Sequence, residues 1–323
     1  KKRFNILKDC KIAMEIDPRF FEQNLTIILN DCGFSRISIG VQDFSQDVQT
    51  LINRKQSFEI TKETVNHLRE NNISNINIDL IYGLPNQTVQ TFSDTLEKIS
   101  ILKPDCISVF GYAHVPWMKK HQKLIKVKPL DNEDRLKFYR LASDYFLNNG
   151  YEPFGIDHYA EKSSSIIQNV KNRKLQRNFQ GYTEDDADIL IGVGASSISS
   201  LPNGYVQNIA KISDYIRALK KNKLPISRGY GLKEKDKIYS SVIKELMCYL
   251  NVDLRQVTKK FSKDINLFSS NIKKLKPFID ADYVNFQNFV LSIKPEARPL
   301  VRIICSVFDQ YFEPKANRYS FGI

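Results

Sequence analysis

The sequence predicts an α/β fold, in which parallel strands joined by helices are followed by a smaller, mostly helical domain. From about residue 10 to residue 112, short apolar runs alternate with amphipathic stretches, a rhythm typical of strand–helix–strand crossovers. After Pro225 this rhythm changes to helices around a short hairpin. We therefore predict one domain over residues 1–224 and a second, helical or winged-helix-like domain over residues 225–323.

Four strands of the parallel sheet are predicted from apolar alternation or from short apolar runs. They lie over residues 11–17, 36–41, 75–82 and 106–110. Amphipathic spacing predicts helices over residues 20–31, 57–71 and 88–102, and Gly33 ends the first of them. A further short helix is predicted to begin at a Ser45 cap and to run through Ile52.

The remaining elements are predicted from the same patterns. An amphipathic helix over residues 131–149 precedes a strand over residues 151–156. Residues 186–199 combine an apolar run with two glycines, which indicates a strand leading into a site loop. In the second domain we predict helices over residues 233–250, 265–276 and 295–312, and a hairpin over residues 282–293.

The net charge of the chain is +12, which favours an anionic partner. The basic residues are spread along the chain and form no arginine-rich tail or aromatic-rich basic repeat. We therefore predict that nucleic acid is not a partner. An AT-rich genome would produce a similar excess of lysine, so the charge alone does not identify the partner.

The chain has neither a membrane span nor a secretory signal in its sequence pattern. Its apolar runs stay well short of the roughly 20 residues that cross a bilayer. The five cysteines, Cys10, Cys32, Cys106, Cys248 and Cys305, are scattered singly, which indicates free thiols instead of disulfides or a paired-cysteine metal site. These features predict a cytoplasmic protein.

Each predicted parallel strand ends at polar side chains. In strand order these are Glu15 and Asp17, Gln42 and Asp43, Asp79, and the segment 112–114. Because the carboxyl ends of parallel strands line the active site of α/β barrels, we predict that these residues share one polar site.

A succession of short motifs carries a family resemblance. The motifs are MEIDP (14–18), GVQDF (40–44), NRKQ (53–56), NIDLIYGLP (77–85), YAHVP (112–116), IDHYA (156–160), RNFQGYT (177–183) and GVGASSIS (192–199). In order and approximate spacing they resemble the oxygen-independent coproporphyrinogen III oxidases, a family of radical S-adenosylmethionine (SAM) enzymes. The resemblance implies a partial (β/α) radical-SAM barrel in the first domain, with the first two strands missing.

The resemblance also implies a set of SAM-contacting residues. By position in the motifs they are Glu15, Gln42, Arg54, Asp79, Ala113 and Ile198. Their chemistry suits SAM, since Arg54 can pair with its carboxylate, and Glu15 and Asp79 can accept from its hydroxyl or ammonium groups. Phe179 is either a further residue packed beside the cofactor or an ordinary core aromatic.

The implied cofactors are SAM and a 4Fe–4S cluster, and the implied substrate is the anionic tetrapyrrole coproporphyrinogen III. In the family reaction, the reduced cluster cleaves SAM to methionine and a 5′-deoxyadenosyl radical, which abstracts hydrogen from a substrate propionate. Loss of carbon dioxide and an electron leaves a vinyl group, and two such events give protoporphyrinogen IX in haem biosynthesis. We predict a monomeric oxidoreductase that requires an electron donor.

The sequence departs from the family in one respect. The three-cysteine motif CxxxCxxC and the glycine-rich SAM segment are not found in it, and we expect both upstream of residue 1. We therefore expect this chain alone to be inactive. Two alternatives are a haem-binding chaperone of the same superfamily and a truncated, non-enzymatic tetrapyrrole-binding paralogue. His114 and His158 lack a third ligand at a recognisable spacing, so we predict structural or substrate-facing roles for them.

Overall fold

The computed structural model describes residues 6–7 and 10–313, so the ends of the predicted domains at residues 1 and 323 lie outside the described residues. The chain folds as two compact units. The first comprises the described residues up to Gln168 together with Glu313, and the second comprises Asn169–Phe312. Among the described helices, none combines the length and the hydrophobicity that a bilayer span requires.

Six strands form the sheet of the first unit: β1 (Ile12–Ile16), β2 (Phe34–Gln42), β3 (Asn75–Tyr82), β4 (Cys106–Gly111), β5 (Tyr151–Phe154) and β6 (His158–Glu161). β1 to β4 are parallel neighbours in chain order, which confirms the predicted parallel sheet. β5 and β6 form an antiparallel hairpin, and β6 pairs with β4. The strand predicted over residues 151–156 is present as β5 but ends at Phe154. The left-handed backbone of Gly155 (φ 57°) helps to reverse the chain into β6, which was not predicted.

Helices connect the parallel strands and follow them: α1 (Gln23–Cys32), α2 (Gln46–Leu51), α3 (Phe58–Glu70), α4 (Val89–Leu102), α5 (Asn132–Asn148) and α6 (Ser165–Lys171), with 3-10 turns at Pro18–Phe20 and Lys120–Leu124. As predicted, α1 ends at Gly33. The predicted cap Ser45 lies at the start of α2, but its side chain makes no capping hydrogen bond. Its backbone N–H donates instead to Oδ1 of Asp43 (2.5 Å).

The sheet of the first unit has an apolar face and a polar face. Alternate residues of β2 and β3 are buried in the hydrophobic core, namely Ile37, Ile39, Val41, Ile76, Ile78 and Leu80. Aromatic side chains of α4 and α5, such as Phe92 and Phe138, belong to the same core. Because side chains alternate across a strand, the residues between these positions lie on the opposite face. We call this the polar face, and define it by Glu15, Ser38, Gly40, Asn77, Asp79 and Ser108.

The second unit contains antiparallel strands and short helices. Its strands are β7 (Gln176–Asn178), β8 (Gly181–Thr183), β9 (Ile198–Leu201), β10 (Gly204–Asn208), β11 (Ile226–Gly231), β12 (Asn251–Asp253), β13 (Val284–Gln287) and β14 (Val290–Ile293). They pair as the hairpin β7–β8 and as the sheets β11-β10-β9 and β12-β14-β13. Its helices are α7 (Ile212–Lys220), α8 (Glu234–Tyr249), α9 (Leu254–Lys260), α10 (Ser269–Lys274), α11 (Lys276–Asp280) and α12 (Val301–Ser306).

Several predictions for the second unit are confirmed and others are modified. The predicted hairpin over residues 282–293 is present as β13 and β14, and the helix over residues 233–250 is present as α8. The helices predicted over residues 265–276 and 295–312 begin instead with 3-10 turns, at Ile265–Phe268 and Pro295–Leu300. In the segment 186–199 the strand β9 starts only at Ile198, since Gly194 (φ 106°) turns the chain before it.

The two units meet in the chain at residues 168 and 169, whereas the predicted domain boundary lies between residues 224 and 225. The reason is long-range pairing. β10, which precedes the predicted boundary, pairs with β11, which follows it. The Tyr182 hydroxyl also donates to the carbonyl oxygen of Met247 in α8 (2.9 Å). Because of these contacts, residues 169–224 belong to the same compact unit as the helices that follow them.

Removing a core side chain of β3 should destabilise the first unit. Ile78 is 0% exposed, whereas Ile101 on α4 is 60% exposed. We expect Ile78→Ala to lower the free energy of unfolding by about 2–5 kcal/mol, because it leaves a cavity, and Ile101→Ala by about 0.5 kcal/mol or less. Urea denaturation followed by circular dichroism measures both, and equal effects would contradict the assigned core.

Candidate functional site

The polar face brings the predicted site residues of the first unit to one side of the sheet. Glu15 of β1 lies opposite Ser38 of β2, and Gly40 of β2 lies opposite Asp79 of β3. Gln42 ends β2, and Ala113 follows the end of β4 by two residues. Since the strands are parallel, these carboxyl ends lie along one edge, where α/β sheets bind their ligands. The Glu15 side chain is exposed there.

Arg54 reaches the end of β2 from the loop between α2 and α3. Its Nη2 donates to the carbonyl oxygen of Gly40 (2.7 Å), and its Nη1 donates to Oδ2 of Asp17 (3.1 Å). Its Nε is buried and has no hydrogen-bond partner among the described residues. The sequence pattern predicted Asp17 at a strand end but gave no sign of its pairing with Arg54. The guanidinium is thus held by two groups of this chain and keeps an unused donor.

Asp17 is itself fixed by Arg19. The Arg19 guanidinium donates to both carboxylate oxygens, with Nη2 2.6 Å from Oδ2. The hydrogen bonds from Arg19, with the charge of Arg54 nearby, hold the pKa of Asp17 below its ordinary value of 3.8, although burial opposes them. Because the folded-state pKa is depressed, the stabilisation is complete above about pH 4 and is lost as the pH falls through the folded-state value. Asp17 is therefore an anionic partner for Arg54 at neutral pH.

Gln42 and Arg54 share the space above Gly40. A Cβ atom at residue 40 would lie 3.0 Å from Nε2 of Gln42 and 3.1 Å from Nη2 of Arg54. Glycine therefore lets two side-chain donors approach the strand closely. Gln42 also has a left-handed backbone (φ 70°), and the register between β2 and β3 shifts between Gly40 and Gln42. The irregular end of β2 gathers hydrogen-bond donors at one point, which fits an anionic ligand group.

Asp79 is oriented by two neighbours on the polar face. Its Oδ2 accepts from the Ser38 hydroxyl (3.0 Å), and its Oδ1 accepts from Nδ2 of Asn77 (2.8 Å). Asn77 is buried and also contacts the Ser108 hydroxyl (3.2 Å). Ser38, Asn77 and Ser108 were not predicted from the sequence. Asn77 lies two residues before Asp79 in β3, so alternation along that strand was a readable signal for it. Ser38 and Ser108 join the same face only through the register of the neighbouring strands.

Ala113 lies in a loop whose backbone is held from two sides. Its carbonyl oxygen accepts from Nε2 of the buried Gln122 (2.9 Å), and Oε1 of Gln122 accepts from the N–H of Val115 (2.6 Å). The preceding carbonyl, of Tyr112, accepts from Nη1 of the buried Arg135 (2.7 Å). These bonds fix the peptide groups on both sides of Ala113. Gln122 and Arg135 lie outside the motifs that carry the family resemblance.

The two remaining predicted cofactor contacts lie in the second unit. Ile198 is the first residue of β9 and is half-buried. Phe179 lies in the turn between β7 and β8, is 54% exposed, and packs edge-to-face against Tyr205 with ring centroids 5.1 Å apart. Phe179 is therefore not an ordinary core aromatic, and both residues remain predicted cofactor contacts.

The histidines singled out in the sequence contact their chain neighbours. Nδ1 of His114 lies 3.3 Å from the Tyr112 hydroxyl, and Nδ1 of His158 lies 2.8 Å from Oδ1 of Asp157. Within residues 6–7 and 10–313, no group of three or more His, Cys, Asp and Glu side chains is arranged to hold a metal ion. The structural or substrate-facing roles of these histidines remain predictions.

The cysteines of the described residues do not fit an iron–sulfur site. Cys10 and Cys32 are exposed free thiols, whereas Cys106, Cys248 and Cys305 are buried. Burial raises the pKa of Cys106 and of Cys305 to about 12, and that of Cys248 to about 11. A cluster needs several thiolates gathered around it, and these buried thiols stay protonated at neutral pH.

Comparisons with known proteins identify the family of the chain. Residues 1–99 match the family described as the Radical SAM superfamily. The chain is 39% identical to the oxygen-independent coproporphyrinogen III oxidase of Cereibacter sphaeroides, over 97% of this chain and 69% of the relative. It is 34% identical to the Escherichia coli protein of the same name, over 100% of this chain and 71% of the relative.

A solved structure gives the same result. The coproporphyrinogen III oxidase of Escherichia coli, a radical SAM enzyme, matches with a TM-score of 0.91 and 33% identity, covering 96% of this chain and 72% of that chain. The family match and the fold thus define a protein of the radical SAM class. Within that class, the chain belongs to the family of oxygen-independent coproporphyrinogen III oxidases. The predicted family and α/β fold are confirmed, and the cofactors of the family are SAM and a 4Fe–4S cluster.

Adding one methyl group at Gly40 should disrupt the site. We expect Gly40→Ala to weaken binding of S-adenosylhomocysteine, a stable analogue of SAM, by about tenfold or more, because it displaces the donors of Gln42 and Arg54. Isothermal titration calorimetry measures the Kd. Gly231→Ala is the matched control, since a Cβ there meets nothing within 4 Å. Wild-type affinity in Gly40→Ala would show that the space above Gly40 is not part of the site.

Proposed function

We propose that Glu15, Gln42, Arg54, Asp79 and Ala113 bind SAM, and that the protein oxidatively decarboxylates two propionates of coproporphyrinogen III to vinyl groups. We keep Ile198 and Phe179 as predicted cofactor contacts. The observation that carries the proposal is the buried, unpartnered Nε of Arg54 beside Gly40, in a chain 39% identical to an oxygen-independent coproporphyrinogen III oxidase.

Arg54 is the proposed partner of the SAM carboxylate. Its guanidinium is already held by Gly40 and Asp17, so little side-chain entropy is lost when the ligand arrives. The Asp17 carboxylate balances part of the positive charge and leaves Nε to donate. Gln42 brings an amide N–H to the same point and can also accept, which suits a ligand that carries both a carboxylate and an ammonium group.

Asp79 is the proposed acceptor for ligand hydroxyl or ammonium groups. Each of its oxygens already accepts one hydrogen bond from Ser38 or Asn77 and retains capacity for another. The two bonds fix the carboxylate plane before the ligand binds. Backbone groups at Ala113 are fixed in the same way by Gln122 and Arg135. When bound, SAM and the reduced cluster supply the one-electron chemistry that removes a hydrogen atom from each propionate.

The charge of the chain supports a polycarboxylate substrate. Coproporphyrinogen III carries four propionates, and the chain has a net charge of +12. Long-range attraction between them accelerates association and weakens with added salt. For each propionate, loss of a hydrogen atom, an electron and carbon dioxide leaves a vinyl group, so the reaction also needs an acceptor for that electron.

We further propose that the protein works in the cytoplasm, as a monomer, and takes electrons from a separate donor. The compartment is supported by the five cysteines, which are all free thiols. Sedimentation velocity tests the monomeric state. A donor can be identified by which reduced flavin or iron–sulfur proteins sustain turnover in place of a chemical reductant.

The decisive test is anaerobic turnover by the protein expressed from its complete gene, with reconstituted iron and sulfide, reductant, SAM and coproporphyrinogen III. We expect both protoporphyrinogen and 5′-deoxyadenosine as products. Arg54→Ala should lower both by about 100-fold, because a buried charge-assisted contact is lost, and Arg54→Lys should restore only part of the activity.

The matched control is Arg255→Ala, which removes an exposed arginine that also pairs with a carboxylate, that of Asp253. This variant should keep wild-type activity. Haem binding without either product would overturn the proposed reaction. Full activity in Arg54→Ala would overturn the proposed SAM contact while leaving the reaction in place.

A further inference from the structure

A buried carboxylate lies directly behind the proposed cofactor contacts. Asp43 follows Gln42 in the chain and is 0% exposed. Its Oδ1 accepts from the N–H of Ser45 (2.5 Å) and from the hydroxyl of Thr95 on α4 (3.3 Å), and its Oδ2 accepts from Nε2 of Gln87 (2.5 Å). Since Asp43 is fully buried, its carboxylate stabilises loops by hydrogen bonds and does not contact solvent.

The backbone at this point is strained. The N–H of Asp43 donates to the carbonyl oxygen of Val41 (2.9 Å), which closes a tight three-residue turn around Gln42. Gln42 adopts a left-handed φ of 70°, a conformation that residues other than glycine rarely adopt. Such a residue costs about 1–3 kcal/mol and persists only where surrounding contacts hold it. The contacts that hold this turn are those of Asp43.

Gln49 connects the turn to the loop that carries Arg54. Its Nε2 donates to the backbone carbonyl oxygens of Asp43 (2.8 Å) and Gln56 (2.5 Å), and its Oε1 accepts from the N–H of Gln56 (2.9 Å). The backbone N–H of Arg54 donates to the carbonyl oxygen of Gln49 (2.8 Å). One buried amide side chain therefore sets the distance between the turn at Gln42 and the backbone of Arg54.

Gln87 connects the same carboxylate to the loop after β3. Its Oε1 accepts from the N–H groups of Gly83 (2.6 Å) and Leu84 (3.3 Å). Its Nε2 donates to the carbonyl oxygen of Ile81 (3.1 Å) as well as to Asp43. Because β3 also carries Asp79, the network joins the ends of two neighbouring strands on which cofactor contacts are proposed.

We propose that Asp43, with Gln49 and Gln87, forms a positioning lock that holds Gln42 and Arg54 in their ligand-binding geometry. These three residues act through their neighbours and make no contact with the cofactor themselves. The inference rests on the proposed function, since it assigns the lock to the SAM site. It adds residues whose role is to maintain a strained turn and two loops before the ligand binds.

The chemistry explains why residue 43 is an aspartate. Three donors point at its two oxygens, and only a carboxylate can accept at both of them. An asparagine would turn an N–H group toward either Ser45 or Gln87, so that two donors would face each other. Burial raises the pKa of Asp43, opposed by its hydrogen bonds from Gln87, Ser45 and Thr95. Burial disfavours the charged carboxylate, so the presence of aspartate here indicates that both acceptor oxygens are required.

The test compares polarity variants of the lock, measured by calorimetric titration with S-adenosylhomocysteine at temperatures where each variant is folded. Asp43→Asn should weaken binding by about tenfold or more, because one of the donors that hold residue 43, next to the turn at Gln42, loses its acceptor. In the double variant Asp43→Asn with Gln87→Glu, the direction of the hydrogen bond between residues 43 and 87 is reversed. This variant should recover part of the affinity, and the double-mutant cycle gives the coupling.

Two further variants keep the test decisive. Gln49→Met removes the side-chain hydrogen bonds to the backbone of Asp43 and Gln56 but leaves the Asp43 carboxylate in place. It therefore tests the lock if Asp43→Asn fails to fold, and it should also weaken binding. Asn271→Asp is the matched control, because Asn271 is buried in the second unit and its Nδ2 donates to the carbonyl oxygen of Val307 (2.7 Å). This control should lower the Tm and leave the Kd unchanged.

Arg54→Ala separates the two proposals. If Arg54→Ala binds S-adenosylhomocysteine as tightly as the wild type, the proposed cofactor site itself is wrong. If Arg54→Ala loses affinity while the folded Asp43→Asn and Gln49→Met variants keep it, only the positioning lock is overturned. Equal loss of affinity in Asn271→Asp would also overturn the lock, since it would show a general effect of destabilisation.

Discussion

The arrangement of the first unit depends on the alternation of side chains along β2 and β3. Ile37, Ile39, Ile76 and Ile78 are each 0% exposed, and burying such a side chain contributes about 1.5–3 kcal/mol. A slip of one residue in strand register would move these isoleucines to the opposite face and place Asp79 in the core. The hydrophobic core therefore also fixes which face carries the ligand-binding groups.

Because of that constraint, polar groups lie close to a packed sheet, and other groups of the same chain supply their hydrogen-bond partners. Asp79 is bound by Ser38 and Asn77, and Arg54 by Asp17 and the carbonyl of Gly40. A partly buried charge without such partners would cost several kcal/mol. Each partner uses only part of the hydrogen-bonding capacity of the group it holds. The site is therefore ordered in advance and can still bind a ligand.

Much of this arrangement could be predicted from local sequence. Period-two patterns placed β1 to β4, and the polar residue at each strand end indicated the edge where Glu15, Gln42 and Asp79 lie. Contacts between distant residues could not be predicted in this way. Asp17 and Arg54 are 37 residues apart, and Asp43 and Gln87 are 44 residues apart. Their pairing depends on the order of strands in the sheet, which no single segment encodes.

The domain boundary shows the same limit. Pro225 and the change of rhythm after it suggested a break, but β10 pairs with β11 across that point. The short strands of residues 176–231 have weak periodicity because most of their residues are exposed or half-buried. Burial on one face is what produces the two-residue pattern, so a strand without a buried face gives little signal.

The residues at the end of β2 show how ligand binding and backbone conformation are balanced. Gly40 has no left-handed φ, and glycine is needed there only because two side-chain donors occupy the space of a Cβ. Gln42 does have a left-handed φ, yet it is not glycine. A glycine at residue 42 would relieve the strain but remove the amide that lies over Gly40. The buried hydrogen bonds of Asp43 and Gln49 hold the turn and so offset the free-energy cost of the left-handed backbone at Gln42. Strain at this position is evidence that the side chain of Gln42, and not the backbone alone, is required.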